Sequence, residues 1–158
     1  MMDEIGYFAY SLHIDPRAMR KWNIRLRSQG VGFLEGYRLS FDVLEDEYFT
    51  FEKRGLANIV PSAHAVVEGV IYRIGETDLP KLDAISGVHS FKYYRKKVWV
   101  RNREGNFVEA VTYAGWPDAV SQGLKPSVTY LRQLLSAASR NGISPDFRHW
   151  LETHPTVF

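Results

Sequence analysis

The sequence predicts a β-rich α+β domain, with strands first and in the middle and helices at the edges. Three observations carry that expectation. The segment "YFAY" near the start is a short apolar and aromatic run preceded by charge. Residues 33–44 alternate, with Tyr37, Leu39, Phe41 and Val43 against Arg38, Ser40 and Asp42. Residues 126–140 instead place Val128, Leu131, Leu135 and Ala138 at helical spacing.

Taken in order, Ile5–Tyr10 reads as a short buried strand. Asp15 is the predicted N-cap of a helix with Pro16 in its first turn. Its stripe is Ala18, Met19, Trp22 and Leu26, and it stops at Gly30. Phe33–Leu44 is the next strand, and the acidic patch Glu45–Glu47 is a turn or loop. Leu56–Val60 reads as a short strand ended by Pro61–Ser62, and Val66–Ile74 as a separate, clearer one. Thr77 is expected to cap a short helix through "DLPKLDAIS". Tyr93–Val100 and Phe107–Ala114 flank "NREGN", which suits a hairpin turn. Asn141–Gly142 closes the helix of residues 126–140, and Ser144–Pro145 opens a last one bearing Phe147, Trp150 and Leu151.

Composition bounds the functions. The 158 residues fit one domain, 1–158, with a sizeable core. A formal net charge of +2 does not by itself direct the chain to nucleic acid. The basic ribbon of Arg95, Lys96, Lys97, Arg101 and Arg103 reads as a solvated strand face. The chain has no cysteine, which excludes disulfides, thiolate catalysis and cysteine-ligated zinc. The histidines show no metal spacing. The acidic "MMDEIGYF" lacks a signal-peptide core. No stretch approaches the ~18 apolar residues of a membrane span. A soluble, cytoplasmic protein without nucleic-acid or membrane partners is the expectation.

Several blocks then occur in a familiar order: "YFAYSLHI", "LANIVPS", "VVEGVIYRI", "LPKLDAISGV", "YYRKKVWV" and "AVTYAGWP". Together they resemble the γ-glutamylcyclotransferases and their AIG2-like relatives over nearly the whole chain. The resemblance implies a small mixed β-barrel with flanking helices; a monomer or a homodimer is expected. It also implies a reaction without metal or cofactor. The α-amine of a γ-glutamyl amine or peptide attacks its own γ-carbonyl, closes 5-oxoproline and expels the amine. Ring closure needs a base for the α-ammonium and donors for the oxyanion and α-carboxylate. In the family these come from a glutamate in "LDxxEG" and from the backbone of a "YGSN" turn.

Both motifs are altered here. "LDxxEG" reads Leu82, Asp83, Ala84, Ile85, Ser86, Gly87, so a serine stands at the glutamate position. A serine hydroxyl accepts no proton at neutral pH without another base. "YGSN" reads Tyr10, Ser11, Leu12, His13. Ser11 loses the conformational freedom of glycine, and His13 brings a group able to become cationic. Two readings follow: a cyclotransferase with a relocated base, or a catalytically inactive ligand-binding or regulatory module using the same pocket.

Ser86 reads either as a nucleophile beside His89 or His13, or as a filler capping the turn before Gly87. Strand parity aligns Glu68 with Val66, Val70, Tyr72 and Ile74. Glu68 is then a surrogate base if that face is interior, or a rim charge if it is not. Glu109 has a weaker version of the same claim. By the resemblance Tyr94 lies near the pocket, with core packing as its other reading; Tyr10 and Tyr113 also suit the core. Asp83 is expected to bond local backbone at the helix end.

Overall fold

The computed structural model describes residues 3–45 and 53–158. The predicted turn at Glu45–Glu47 falls, from residue 46 on, outside the described residues. Five strands form a closed barrel: β1 (Glu4–Ala9), β2 (Leu26–Leu44), β3 (Gly55–Gly75), β4 (Tyr93–Asn102) and β5 (Phe107–Gly115). Their order around the barrel is β1-β3-β2-β4-β5. Every pairing is antiparallel except the closing one, where Tyr7 of β1 meets Val111 of β5 in parallel. Closure removes the exposed edges that open sheets must protect.

Four helices flank the barrel: α1 (Pro16–Arg20), α2 (Leu79–Ile85), α3 (Val128–Arg140) and α4 (Pro145–Glu152). The hydroxyls of Ser127 and Ser144 cap α3 and α4 through Tyr130 N–H and Phe147 N–H, satisfying donors that each first turn leaves open. Asp15 caps α1 through Arg17 N–H, as its sequence suggests. Leu131, Leu134, Ala137 and Ala138 of α3 join the core. Residues of all five strands complete it, among them Phe8, Leu34, Tyr72, Val100 and Ala110.

Three elements depart from expectation. The first helix is a little over one turn long, not a run to Gly30. Asn23 takes a left-handed conformation (φ 57°), and Ile24 is pulled into the core as the chain straightens into β2. Trp22, expected on the buried stripe, is 53% exposed. The two strands expected at 56–60 and 66–74 are one, β3. Opposite it Glu35 pairs with Val66 and Tyr37 with Pro61, so four residues of β3 bulge against one of β2. Pro61 is tolerated because it sits at that irregularity. Thr77 is not a cap: it lies inside a 3-10 turn at Glu76–Asp78 that runs into α2.

Candidate functional site

The chain leaves β1 through Tyr10 and Ser11 into a 3-10 turn at Leu12–Ile14. Ser11 has a negative φ (−129°), so the exit does not use the left-handed conformation that favours glycine. The turn is pinned from several sides. Tyr10 Oη donates to Tyr113 O at 2.5 Å. Tyr72 Oη lies 2.7 Å from His13 O and 2.8 Å from Ile14 O and donates to that pair of carbonyls. Ile14 N–H donates to Ser11 O, so the N–H groups of Leu12 and His13 take no bond within the turn itself.

The second wall comes from the end of α2. Leu82 is fully buried and fixes the helix, and Ser86 is its C-cap, donating its N–H to Leu82 O. Gly87 follows at φ 80°, the left-handed position that ends many helices and suits glycine. Ile85 and Ser86 thereby face a cavity of about 240 Å³ that they share with Tyr10, Ser11, Leu12 and His13. Leu56 and Ala57 of β3 close another side. This lies somewhat below the usual range of ligand sites, about 300–1,000 Å³.

Five tyrosines complete the wall: Tyr7, Tyr10, Tyr93, Tyr113 and Tyr130. Burial pushes all five phenols above the ordinary tyrosine range, so each is a neutral donor at physiological pH. Tyr93 Oη donates to Ala57 O at 2.6 Å, and Tyr113 Oη to Asp83 Oδ1 at 2.6 Å. Asp83 therefore does not serve local backbone through its side chain, contrary to expectation. It bridges Tyr113 to Arg95, whose Nη2 meets the other carboxylate oxygen. Burial alone would raise the Asp83 carboxyl, but the bonds from Arg95 and Tyr113 outweigh it and hold the group below its usual value.

His13 is set by the same logic. Its Nδ1 lies 2.9 Å from Tyr7 Oη, with the rings edge-to-face at 6.1 Å. Burial pulls its pKa down to about 4, so the cation considered from sequence does not form near neutrality. The described lining residues are thus uncharged at pH 7: phenols, hydroxyls, a neutral imidazole and apolar side chains.

Of the residues singled out in the sequence, the cavity gathers Ser86, Tyr10, Ser11, Leu12 and His13. Tyr94 is not among its lining residues; its ring packs on Trp116 at 5.3 Å, while neighbouring Tyr93 faces the cavity. Glu68 is elsewhere. Its carboxylate accepts Ser144 N–H at 3.0 Å and Ser144 Oγ–H at 2.7 Å, at the start of α4. The parity argument fails because both faces of β3 are buried along its second half, Val67 and Ile71 on one and Val70, Tyr72 and Ile74 on the other, so burial of the residues that share Glu68's parity does not mark an interior face; Val66, next on that parity, is exposed. A Cβ at Gly69 would meet Ala9 O and the Phe8 ring, so β3 passes β1 too closely there for any side chain. Glu109 pairs with Lys97 at 3.2 Å on the outer face. The basic ribbon is likewise engaged, with Arg101 on Glu35 at 2.7 Å and Lys96 over the Tyr37 ring. Sequence reasoning missed Tyr7, Tyr93 and Tyr130 as wall residues and assigned Tyr113, which also lines the cavity, to the core.

Among the described residues no cluster of three or more His, Asp or Glu groups is placed to hold a metal ion. No helix there is long and apolar enough to cross a membrane.

A barrel closed by one parallel pair, with a cavity between the exit of its first strand and the end of a helix, defines a class that comparison makes explicit. The model of the AIG2-like family matches residues 66–151, more than half of the chain, and the protein belongs to that family. It is 24% identical over 147 residues to the γ-glutamylcyclotransferase of Bos taurus, covering 93% of this chain and 77% of the relative. The Mus musculus γ-glutamylcyclotransferase is similar to the same degree, 24% over 146 residues, covering 92% of this chain and 76% of the relative. A solved γ-glutamyl cyclotransferase superposes with a TM-score of 0.82 at 23% identity, covering 98% of this chain and 90% of its own. A yeast γ-glutamyl cyclotransferase specific to glutathione gives 0.72 at 14% identity, with 94% and 93% covered. The chain is γ-glutamylcyclotransferase-like in family and in fold.

Proposed function

We propose that the cavity takes the γ-glutamyl portion of a small amine or peptide, and that this chain is a ligand-binding member of its family without the usual base for ring closure. The observation that supports it is the meeting of both altered motifs in one cavity: Ser86 from α2 faces the turn at residues 11–13. Cyclisation forms a bond from the α-nitrogen to the γ-carbon and breaks the bond to the departing amine. The α-ammonium must first lose a proton, and general-base assistance contributes about 10²–10⁴ in rate. Ser86 has no basic group to provide it. Glu68, the surrogate considered from sequence, is bonded to Ser144 instead.

The test is calorimetric titration of γ-glutamyl amines and dipeptides, with an end-point assay for 5-oxoproline on the same panel. Wild type is expected to bind at least one compound without measurable turnover. Ser86→Glu is expected to gain about 10²–10⁴ in 5-oxoproline formation. Glu68→Gln is expected to match wild type. Wild-type turnover equal to that of Ser86→Glu, or no binding across the panel, overturns the proposal.

A further inference from the structure

The cavity that holds Ser86 sits where β1 ends and where β3 and β4 begin. A second cavity, of about 500 Å³, lies at the opposite end of the barrel, where β2 begins and β4 ends. Strand β3 runs between the two: Leu56 and Ala57 line the first, Ile71 and Arg73 the second.

The register shows which face the second cavity opens from. Ser28 pairs with Arg73 and Gly30 with Ile71, and Ile71 pairs in turn with Phe8, so these residues share one face of the sheet. Phe8 and Val100 are fully buried, and a Cβ at Gly32 would meet Ile71 and Val100, so that face is the barrel interior. Small barrels fill their interior with side chains. Here the filling stops short of the end. A Cβ at Gly30 would meet nothing within 4 Å. Strand β4 meets β2 at Gly32 and Phe33 and ends at Asn102, so residues 28–31 run on past it.

The opening is apolar inside and charged outside. Ile71 and Val108 line its deeper part, and Val108 pairs with buried Val100. Arg73 lies two residues nearer the end of β3, and its side chain is 44% exposed, so its guanidinium reaches solvent. The charges there do not cancel. Arg73 meets Glu4 at 3.9 Å, but Arg27 lies closer to that carboxylate, at 3.4 Å. Arg103 donates to a backbone carbonyl, Gly142 O, at 3.3 Å. Glu104 is the acid among the lining residues. Three guanidiniums thus stand against two carboxylates, and one positive charge is left over.

We propose that this barrel mouth is a second binding site, which takes a short aliphatic carboxylate. The chain lies on Ile71 and Val108, and Arg73 and Arg103 hold the carboxylate, with Ser28 and Asn102 as further donors. A guanidinium matches the two oxygens of a carboxylate. The single excess charge suits a monoanion, and Glu104 opposes a dianion. The volume falls within the usual range of ligand sites, about 300–1,000 Å³, and the mouths of barrels are common places for them. Nothing in this site depends on the γ-glutamyl reading of the first.

The probe is hexanoate, titrated into ¹⁵N-labelled protein and followed by amide NMR shifts. Saturable shifts are expected at residues 28–31, 71–73 and 102–108, with residues 10–13 and 86 unmoved. Hexanol keeps the chain without the charge, and inorganic phosphate keeps charge without the chain. Each is expected to bind at least about 10-fold more weakly. Arg73→Gln is expected to weaken hexanoate about 10-fold. Gly30→Leu, which puts a side chain into the open space, is expected to abolish hexanoate binding while the spectrum stays that of a folded protein. The absence of saturable hexanoate shifts, or shifts confined to residues 10–13 and 86, overturns the proposal. Equal affinity for hexanol, or an Arg73→Gln variant that binds hexanoate like wild type, overturns the carboxylate. Phosphate binding as tight as that of hexanoate overturns the aliphatic chain.

Discussion

Acidification is expected to destabilise this protein through His13. In an open chain an imidazole takes up its proton near pH 6.5, whereas in the fold burial holds His13 down to about 4. Between those values the unfolded chain binds more protons than the native one, so stability falls as pH falls. The His13 contribution is complete above about pH 7, shrinks through 6.5, and is lost once pH passes below about 4. The gap between the two values corresponds to at most about 3 kcal/mol, a large part of the stability of a small domain. The carboxylates act lower. Arg17 holds Asp15 down to about 2, and Asp83 lies below its usual 3.8, so their contributions are lost only beneath that range. The assay is urea unfolding at about pH 7.5, 6, 5 and 4.5, on wild type and His13→Asn. Asparagine cannot titrate, and every other ionisable group cancels in the difference between the two curves. The wild type is expected to lose about 2–3 kcal/mol more than the variant over this interval. Parallel curves refute the reasoning.

Glu68→Ala should cost about 1–2 kcal/mol, because Ser144 N–H and Oγ–H lose their acceptor at the start of α4; urea midpoints read it, and ligand affinity should not change. Tyr113→Phe should cost about 1–2 kcal/mol and let the Asp83 carboxyl rise toward its ordinary value, a change that carboxyl-detected NMR titration follows. Gly69→Ala should cost about 1–3 kcal/mol or more, since its Cβ would collide with the Ala9 carbonyl and the Phe8 ring; thermal unfolding measures it.

The elements written in local chemistry were legible. Asp15 and Ser144 announce helix starts because a short polar side chain there satisfies a backbone N–H within three residues. The β4–β5 hairpin is legible because Gly105 supplies the left-handed turn residue (φ 86°). What distant packing decides was not. Nothing near Met19 says that Ile24 will be drawn into the core and stop α1 after Arg20. Pro61 reads as a terminator because a sequence does not show the bulge that accommodates it. Glu68 shares its parity with buried Val70, Tyr72 and Ile74, and only its bonds to Ser144, 76 positions away, show where it lies. The site divides the same way. The 10–13 turn and Ser86 were visible through their motifs. The tyrosine wall was not, for Tyr130 reaches Ser11 from a helix 119 positions away.

The parallel pairing of Tyr7 with Val111 has a kinetic meaning. The β2–β3 ribbon and the β4–β5 hairpin each pair with their own sequence neighbours, so both can zip with little loop entropy to overcome. The seam between β1 and β5 joins positions more than a hundred residues apart, and such contacts form late. Until it forms, Tyr10 cannot reach Tyr113 and the cavity has no back wall. Folding intermediates with both hairpins intact should therefore be blind to ligand. Recovery of binding after dilution from denaturant would time the sealing of the barrel, not the growth of its sheets.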